Sequence, residues 1–167
     1  QETVTGYSNT GGFGIDGSLS TVIGAALCHP DRLYYCVLGD LAFFYDMNAL
    51  GNRHVPSNIR ILVVNNGLGF EMKFPTSLGC SIADAIGVSE DNYVCASGHY
   101  SQPDLIKSYV LGLGFEYSRV CTKDEYLDNL QKIVDDVRRN KPLVVEVVVN
   151  SENEDVALNQ IGSIMVD

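Results

Sequence analysis

The stretch GDLAFFYDMNALGNRHVPSNIRILVVNNGLG, residues Gly39 to Gly69, decides the fold. It begins where one apolar run, Leu33 to Leu38, ends, and it closes just after a second, Ile59 to Val64. Continuous apolar runs of this length, bounded by Gly, Asp, Asn and Pro, fit strands buried on both faces of a parallel sheet. Ala42 to Gly51 supplies a crossover helix, and Pro56-Ser57-Asn58 the turn into the second strand. Each strand therefore ends in oxygen donors, Asp40 after the first and Asn65-Asn66 after the second. Ligands of an open parallel sheet collect beyond the carboxyl ends of its strands, where these residues fall. A carboxylate at Asp40 and a carboxamide at Asn66, 26 positions apart, suit a small hard cation that shares its shell with phosphate oxygens and water. The first turn of the intervening helix would present N–H groups to such a phosphate.

Outward from this stretch the alternation continues. Thr3 to Tyr7 alternates weakly and predicts a short first strand. The glycine-rich turn from Ser8 to Gly17 leads into a helix of small and aliphatic residues, Ser18 to Cys28, which His29-Pro30-Asp31 stops. On the other side, residues 68–99 are irregular, with a short helix expected near Ser81 to Ala85. Gln102 to Leu113 predicts a helix, Phe115 to Val120 a strand, Leu143 to Val149 a further strand and Asp155 to Val166 a last helix. Lys123 to Asn140 predicts an amphipathic helix with Tyr126, Leu127, Leu130, Ile133, Val134 and Val137 on one face. The expectation is an α/β fold, three layers α/β/α, around a mostly parallel sheet of about six strands. The whole chain, 1–167, reads as a single domain, and its start at Gln1 without a leader suggests a piece of a longer protein.

Composition narrows the function. Hydrophobic residues at 46% and charged residues at 19% describe an ordinary globular protein, and no apolar run is long enough for a membrane span. A net charge of −10 argues against nucleic acid, whose binding rests on Lys and Arg. It also argues for a metal: Arg53, His54 and Arg60 are the only cations between the motif ends, so a bound diphosphate calls for a divalent ion. The five cysteines, Cys28, Cys36, Cys80, Cys95 and Cys121, form no C-x-x-C pair. They read as reduced, buried thiols of a cytoplasmic protein.

Gly39-Asp40 followed at this distance by Asn65-Asn66 resembles the motif of the thiamine diphosphate-dependent enzymes. SNTGGFGIDGSLSTVIGAA at Ser8 to Ala26 and GDLAFFYDMNAL at Gly39 to Leu50 are similar to the branch containing the menaquinone-pathway synthase and the acetolactate synthase-like enzymes. The resemblance implies that Asp40, the Asn66 side chain and the Leu68 carbonyl hold Mg²⁺ or Ca²⁺. It implies that the amides of Leu41 and Ala42 hold the diphosphate, with Gly39 and Gly69 beside it. It further implies that Ile15 props the cofactor in a V shape while the backbone at Gly14 meets the aminopyrimidine, so that the cofactor supplies the hard chemistry and the protein bends and buries it. The implied protein is a 2-oxo acid decarboxylase or carboligase, a lyase or transferase. This chain would be its carboxyl-terminal diphosphate-binding domain. The activating glutamate would sit on a separate pyrimidine-binding domain of the same or another subunit of a homodimer or homotetramer, leaving no catalytic residue here and the isolated piece inactive.

The chain departs from that branch at Thr10, where an Arg is the pattern, and at Phe13, where a small polar residue is; loss of a bidentate carboxylate clamp implies a different substrate. A competing reading comes from Gly12 to Gly17, which spells G-x-G-x-x-G before a helix, with Asp40 at the end of the next strand: a dinucleotide site. Against it, Ser8 to Gly11 separate this motif from the preceding strand, and Asn65-Asn66 goes unexplained. A third reading is a domain that holds the cofactor without catalysing. His29, His54 and His99 stand apart, with no zinc spacing. Ser81 and Ser97 lack a nucleophile elbow. Asp46, Asn48 and Glu71 are candidates to line the site.

Overall fold

Two parallel strands and the helix between them occupy the central stretch of the chain. The structure, a computed structural model, describes residues 4–9, 14–69, 85, 87, 102–135, 139–150, 153, 154, 156, 157 and 160. Strand β1 (Tyr34–Gly39) pairs in parallel with β2 (Ile59–Asn65), with Tyr34 opposite Ile59 and Gly39 opposite Val64. Beyond β2 lies β4 (Leu143–Val148), and outside it β3 (Glu116–Val120), again parallel. The order is β1-β2-β4-β3, so all four carboxyl ends share one edge. The described residues hold four strands where about six were expected, and residues 4–7 are not a strand: Val4 and Tyr7 are almost fully exposed, with no partner strand to bury an alternating face.

Helices cover both faces. On one, α1 (Ser18–Cys28), α2 (Asp40–Asp46) with the 3₁₀ turn Met47–Gly51 that continues it, and α3 (Leu105–Gly112) pack over the odd residues of β2, Ile59, Ile61 and Val63. Helix α1 contributes Leu19, Ile23 and Ala26, one stripe at helical spacing. On the other face α4 (Lys123–Val134) buries Ile133 against Val120, Leu143 and Val145. The two cores follow from the period of two along each strand, which sends Val144 to one face and its neighbours Leu143 and Val145 to the other. Among the described residues, the β4–β3 half has both faces closed in this way. Along β1, Cys36 and Leu38 are buried, while Tyr35 and Val37 on the opposite face are 45% and 68% exposed.

Several expected boundaries shift. Helix α2 starts at Asp40, two residues earlier than predicted, and tightens to a 3₁₀ turn at Met47. Helix α4 ends at Val134 rather than Asn140, because Asp135 is extended; its buried side is Ile133 with half-buried Tyr126, Asn129 and Leu130, whereas Leu127 and Val134 face solvent. Of the last predicted helix, residues 156, 157 and 160 are helical, as are 153 and 154 before it; Ala85 alone is described of the short helix predicted near Ser81. The cysteines are also not uniformly buried. Cys36 is, but Cys28 and Cys121 are exposed free thiols at element ends; Cys80 and Cys95 lie outside the described residues.

Candidate functional site

The register of β1 on β2 sets Gly39 level with Val64. Asp40 and Asn66 therefore each follow directly on the carboxyl end of one of two neighbouring strands. A cavity of about 290 Å³ opens there, lined by Ile15, Gly39, Asp40, Leu41, Ala42, Val64, Asn66, Leu68, Gly69 and Glu154. Eight of the nine residues anticipated at a cofactor converge on it; Gly14 stands beside Ile15 but does not line it.

Asp40 is 1% exposed and opens α2, whose amino end no side chain caps. The two asparagines divide their work as alternating strand residues do. Asn65 turns inward, its Nδ2 donating to Glu146 Oε1 at 2.6 Å. Asn66 turns to the cavity, its Nδ2 donating to Glu154 Oε1 at 2.7 Å and its Oδ1 accepting the Leu68 N–H at 3.2 Å. Gly67 makes this tight return with φ of 73°, a left-handed conformation that glycine adopts without strain.

Gly39 differs. Its φ is −73°, and a Cβ built on it would meet nothing within 4 Å, so the chain itself imposes no demand for glycine there; the missing side chain leaves cavity space. A buried carboxylate, a carboxamide oxygen with a spare lone pair, backbone groups and a glycine-floored space form a hard-oxygen cradle. Such a donor set fits Mg²⁺ or Ca²⁺ with a phosphate group. The volume suits a diphosphate and its cation, and is at the small end for a complete cofactor site, for which about 300–1,000 Å³ is usual.

Other candidates fall elsewhere. Asp46 does not line the cavity: its carboxylate accepts both the backbone N–H and the hydroxyl of Ser20, each at 2.7 Å, and so ties the first turn of α1 to α2. Asn48 is exposed. Arg60 is buried at the amino end of β2, bonded to the carbonyls of Ser57 and Ile59, with burial lowering its pKa. It is far from any diphosphate at the opposite end. His29 and His54 are exposed; Thr10, Phe13, Glu71, Ser81, Ser97 and His99 lie outside the described residues.

Sequence reading missed two features. One is Glu154, which reaches Asn66 across 88 positions of chain. The other is a larger cleft of about 550 Å³ beside the first, lined by Cys121, Thr122, Lys123, Tyr126, residues 147–150 and Asn153. Asn153 lines this cleft, and its neighbour in sequence, Glu154, lines the first cavity.

Comparisons with known proteins give the family. The profile of the family described as thiamine pyrophosphate enzyme, C-terminal TPP binding domain, matches residues 2–147, and the chain belongs to that family. Relatives include the 2-succinyl-5-enolpyruvyl-6-hydroxy-3-cyclohexene-1-carboxylate synthases of Bacteroides thetaiotaomicron, 37% identical over 91% of this chain and 25% of that protein, and of Phocaeicola vulgatus, 32% identical over the same shares. The chain thus spans about a quarter of the length of these relatives. Among solved structures, the thiamine diphosphate-dependent 4-hydroxybenzoylformate decarboxylase of Rhodococcus jostii superposes with a TM-score of 0.55 over 80% of this chain and 23% of that one. At 19% identity this likeness concerns the fold, which is α/β with a parallel sheet. Family membership sets the dinucleotide reading aside. No helix among the described residues is long and apolar enough to cross a membrane.

Proposed function

We propose that this chain, 1–167, is one domain that binds the diphosphate of thiamine diphosphate through Mg²⁺, within a longer enzyme acting on a 2-oxo acid as a decarboxylase or carboligase. The observation that carries the reading is the convergence of Gly39, Asp40, Leu41, Ala42, Asn66, Leu68 and Gly69 on one cavity at the carboxyl ends of β1 and β2. Asp40, Asn66 Oδ1 and the Leu68 carbonyl would hold the cation. The amides of Leu41 and Ala42, at the start of α2, would take the diphosphate oxygens, and Ile15 would support the rings. Bound there, the cofactor supplies a nucleophilic carbon for attack on a 2-oxo acid; the chain's own residues bind, orient and neutralise.

A cavity of this size leaves the pyrimidine end to a second domain, of the same or another subunit, which also brings the activating glutamate; a homodimer or homotetramer is the expected assembly. Exposed free thiols at Cys28 and Cys121 suit a reducing compartment such as the cytoplasm.

The test is calorimetric titration of thiamine diphosphate into the intact protein with and without Mg²⁺, together with turnover of pyruvate and a panel of other 2-oxo acids. Asp40→Ala is expected to remove metal-dependent binding, a loss of at least about 100-fold for a deleted charged ligand, while the fold persists. Wild-type affinity in that variant refutes the assignment, and 2-oxo acid turnover by the isolated chain refutes the second-domain requirement. Binding without turnover in the intact protein would leave a cofactor-holding module.

A further inference from the structure

We propose that Glu154 is a positioning residue for the cation site: it holds the Asn66 carboxamide so that the oxygen, not the nitrogen, faces the metal. The inference rests on the reading of Asp40 and Asn66 as cation ligands. A carboxamide presents an acceptor and a donor of nearly equal size, and only the acceptor can coordinate a cation. Something must therefore choose between the two orientations.

At Asn66 both neighbours choose the same one. Glu154 Oε1 lies 2.7 Å from Nδ2, and a carboxylate oxygen only accepts, so the atom facing it must be the donor. The Leu68 N–H lies 3.2 Å from Oδ1, and an amide N–H only donates. Turning the group over would set oxygen against carboxylate and N–H against N–H, replacing two bonds by two repulsions. Outer partners of this kind fix the orientation of a metal's ligands and tune its affinity.

The chain builds the contact locally. The Val149 N–H donates to the Asn65 carbonyl at 3.1 Å, extending the β2–β4 ladder past its last pair. Asn150 then caps a helical turn, its Oδ1 accepting the Asn153 N–H at 2.9 Å and its carbonyl the Glu154 N–H at 3.2 Å. That turn brings Glu154 back over Asn66 and into the cavity that holds Asp40, while Asn153 faces the neighbouring cleft. Glu154 lies outside residues 2–147, the part matched by the family profile.

The experiment uses the intact protein, with Mg²⁺-dependent thiamine diphosphate affinity read by calorimetry and Mn²⁺ binding by electron paramagnetic resonance. Glu154→Ala is expected to weaken metal affinity about tenfold or more, and Glu154→Gln, which keeps an acceptor oxygen, to retain most of it. Equal losses in the two variants would make Glu154 a direct ligand and overturn the positioning role; wild-type affinity in both also overturns it. The reciprocal pair removes no side chain and stands even if Glu154→Ala does not fold. Asn66→Asp sets two carboxylates face to face and is expected to lose affinity; adding Glu154→Gln, whose amide can donate, should restore it. Failure of that rescue counts against the proposal. Asp40→Ala separates the two levels: if it leaves metal-dependent binding intact the cation site itself is wrong, and if it abolishes binding while the Glu154 variants behave as wild type, only the positioning role is.

Discussion

Two helices begin at the same edge of the sheet and end their exposed amides in opposite ways. Helix α4 closes its own amino terminus: the Thr122 hydroxyl accepts the Glu125 N–H at 3.2 Å, and Glu125 Oε2 accepts the N–H groups of Cys121 and Thr122. Helix α2 starts from Gly39 with no side-chain cap, beside a buried carboxylate and over an open cavity. A helix amino end leaves four N–H groups without helical partners. One half of the molecule answers that demand with its own side chains, and the other has no side-chain cap and opens on a cavity. The same contrast runs through the buried acids. Glu146, 1% exposed, accepts from Asn65 Nδ2 and from the Tyr117 hydroxyl within the sheet, whereas Asp40 borders a cavity. Polar groups in the β4–β3 half are bonded to one another inside the fold, and those past the ends of β1 and β2 line a cavity, which the proposed function assigns to binding.

Mutations should separate the halves. The largest stability effect is expected at Glu146→Leu, which strands the Asn65 amide and the Tyr117 hydroxyl in the interior at a cost of about 3 kcal/mol, measured by urea unfolding. A loss below about 1 kcal/mol would break the contrast.

Next comes alkaline pH. Burial, then the nearby Asp46 carboxylate, pushes the Cys36 thiol from 9.0 up to about 11. Between these values the unfolded chain has lost the proton that the folded one keeps. Stability is therefore full below pH 9.0 and falls as pH rises to about 11, by about 2–3 kcal/mol. Replacing the thiol in Cys36→Val should flatten that part of the pH profile. Tyr117, raised by burial and its bond to Glu146, acts in the same direction at still higher pH.

On the binding side, Gly39→Ala should leave the thermal midpoint nearly unchanged, since neither its φ nor any neighbour opposes a Cβ. Diphosphate affinity, however, should fall about tenfold, roughly 1.4 kcal/mol. A midpoint drop without a change in affinity would reverse the assignment of that glycine. The smallest effect is Thr122→Ala, about 1 kcal/mol of stability from the lost cap, with thiamine diphosphate affinity unaltered.

Much of this was legible in the sequence because it is local. Helix α1 falls on the predicted residues, and the runs at Leu33, Ile59, Phe115 and Leu143 mark the four strands, since apolar continuity and turn residues act within a few positions of each other. The Gly39-Asp40 and Asn65-Asn66 pairs were readable because each sits at a strand end. The misreadings share a cause. Leu127 and Val134 look like core residues on a helical wheel, but α4 packs on the sheet along Ile133 and its neighbours; Asp46 looks like a site residue but is taken by Ser20 from another helix.

The sequence by itself determined the α/β alternation, the family and the residues that gather at the cavity, because those follow from short-range periodicity and from chemistry fixed at strand ends. Only the tertiary structure decided that Asn65 turns inward while Asn66 turns outward, that β4 inserts between β2 and β3, and that Glu154 returns to Asn66. These depend on which strands become neighbours, a choice made by packing between segments tens of residues apart, which no local pattern along the chain encodes.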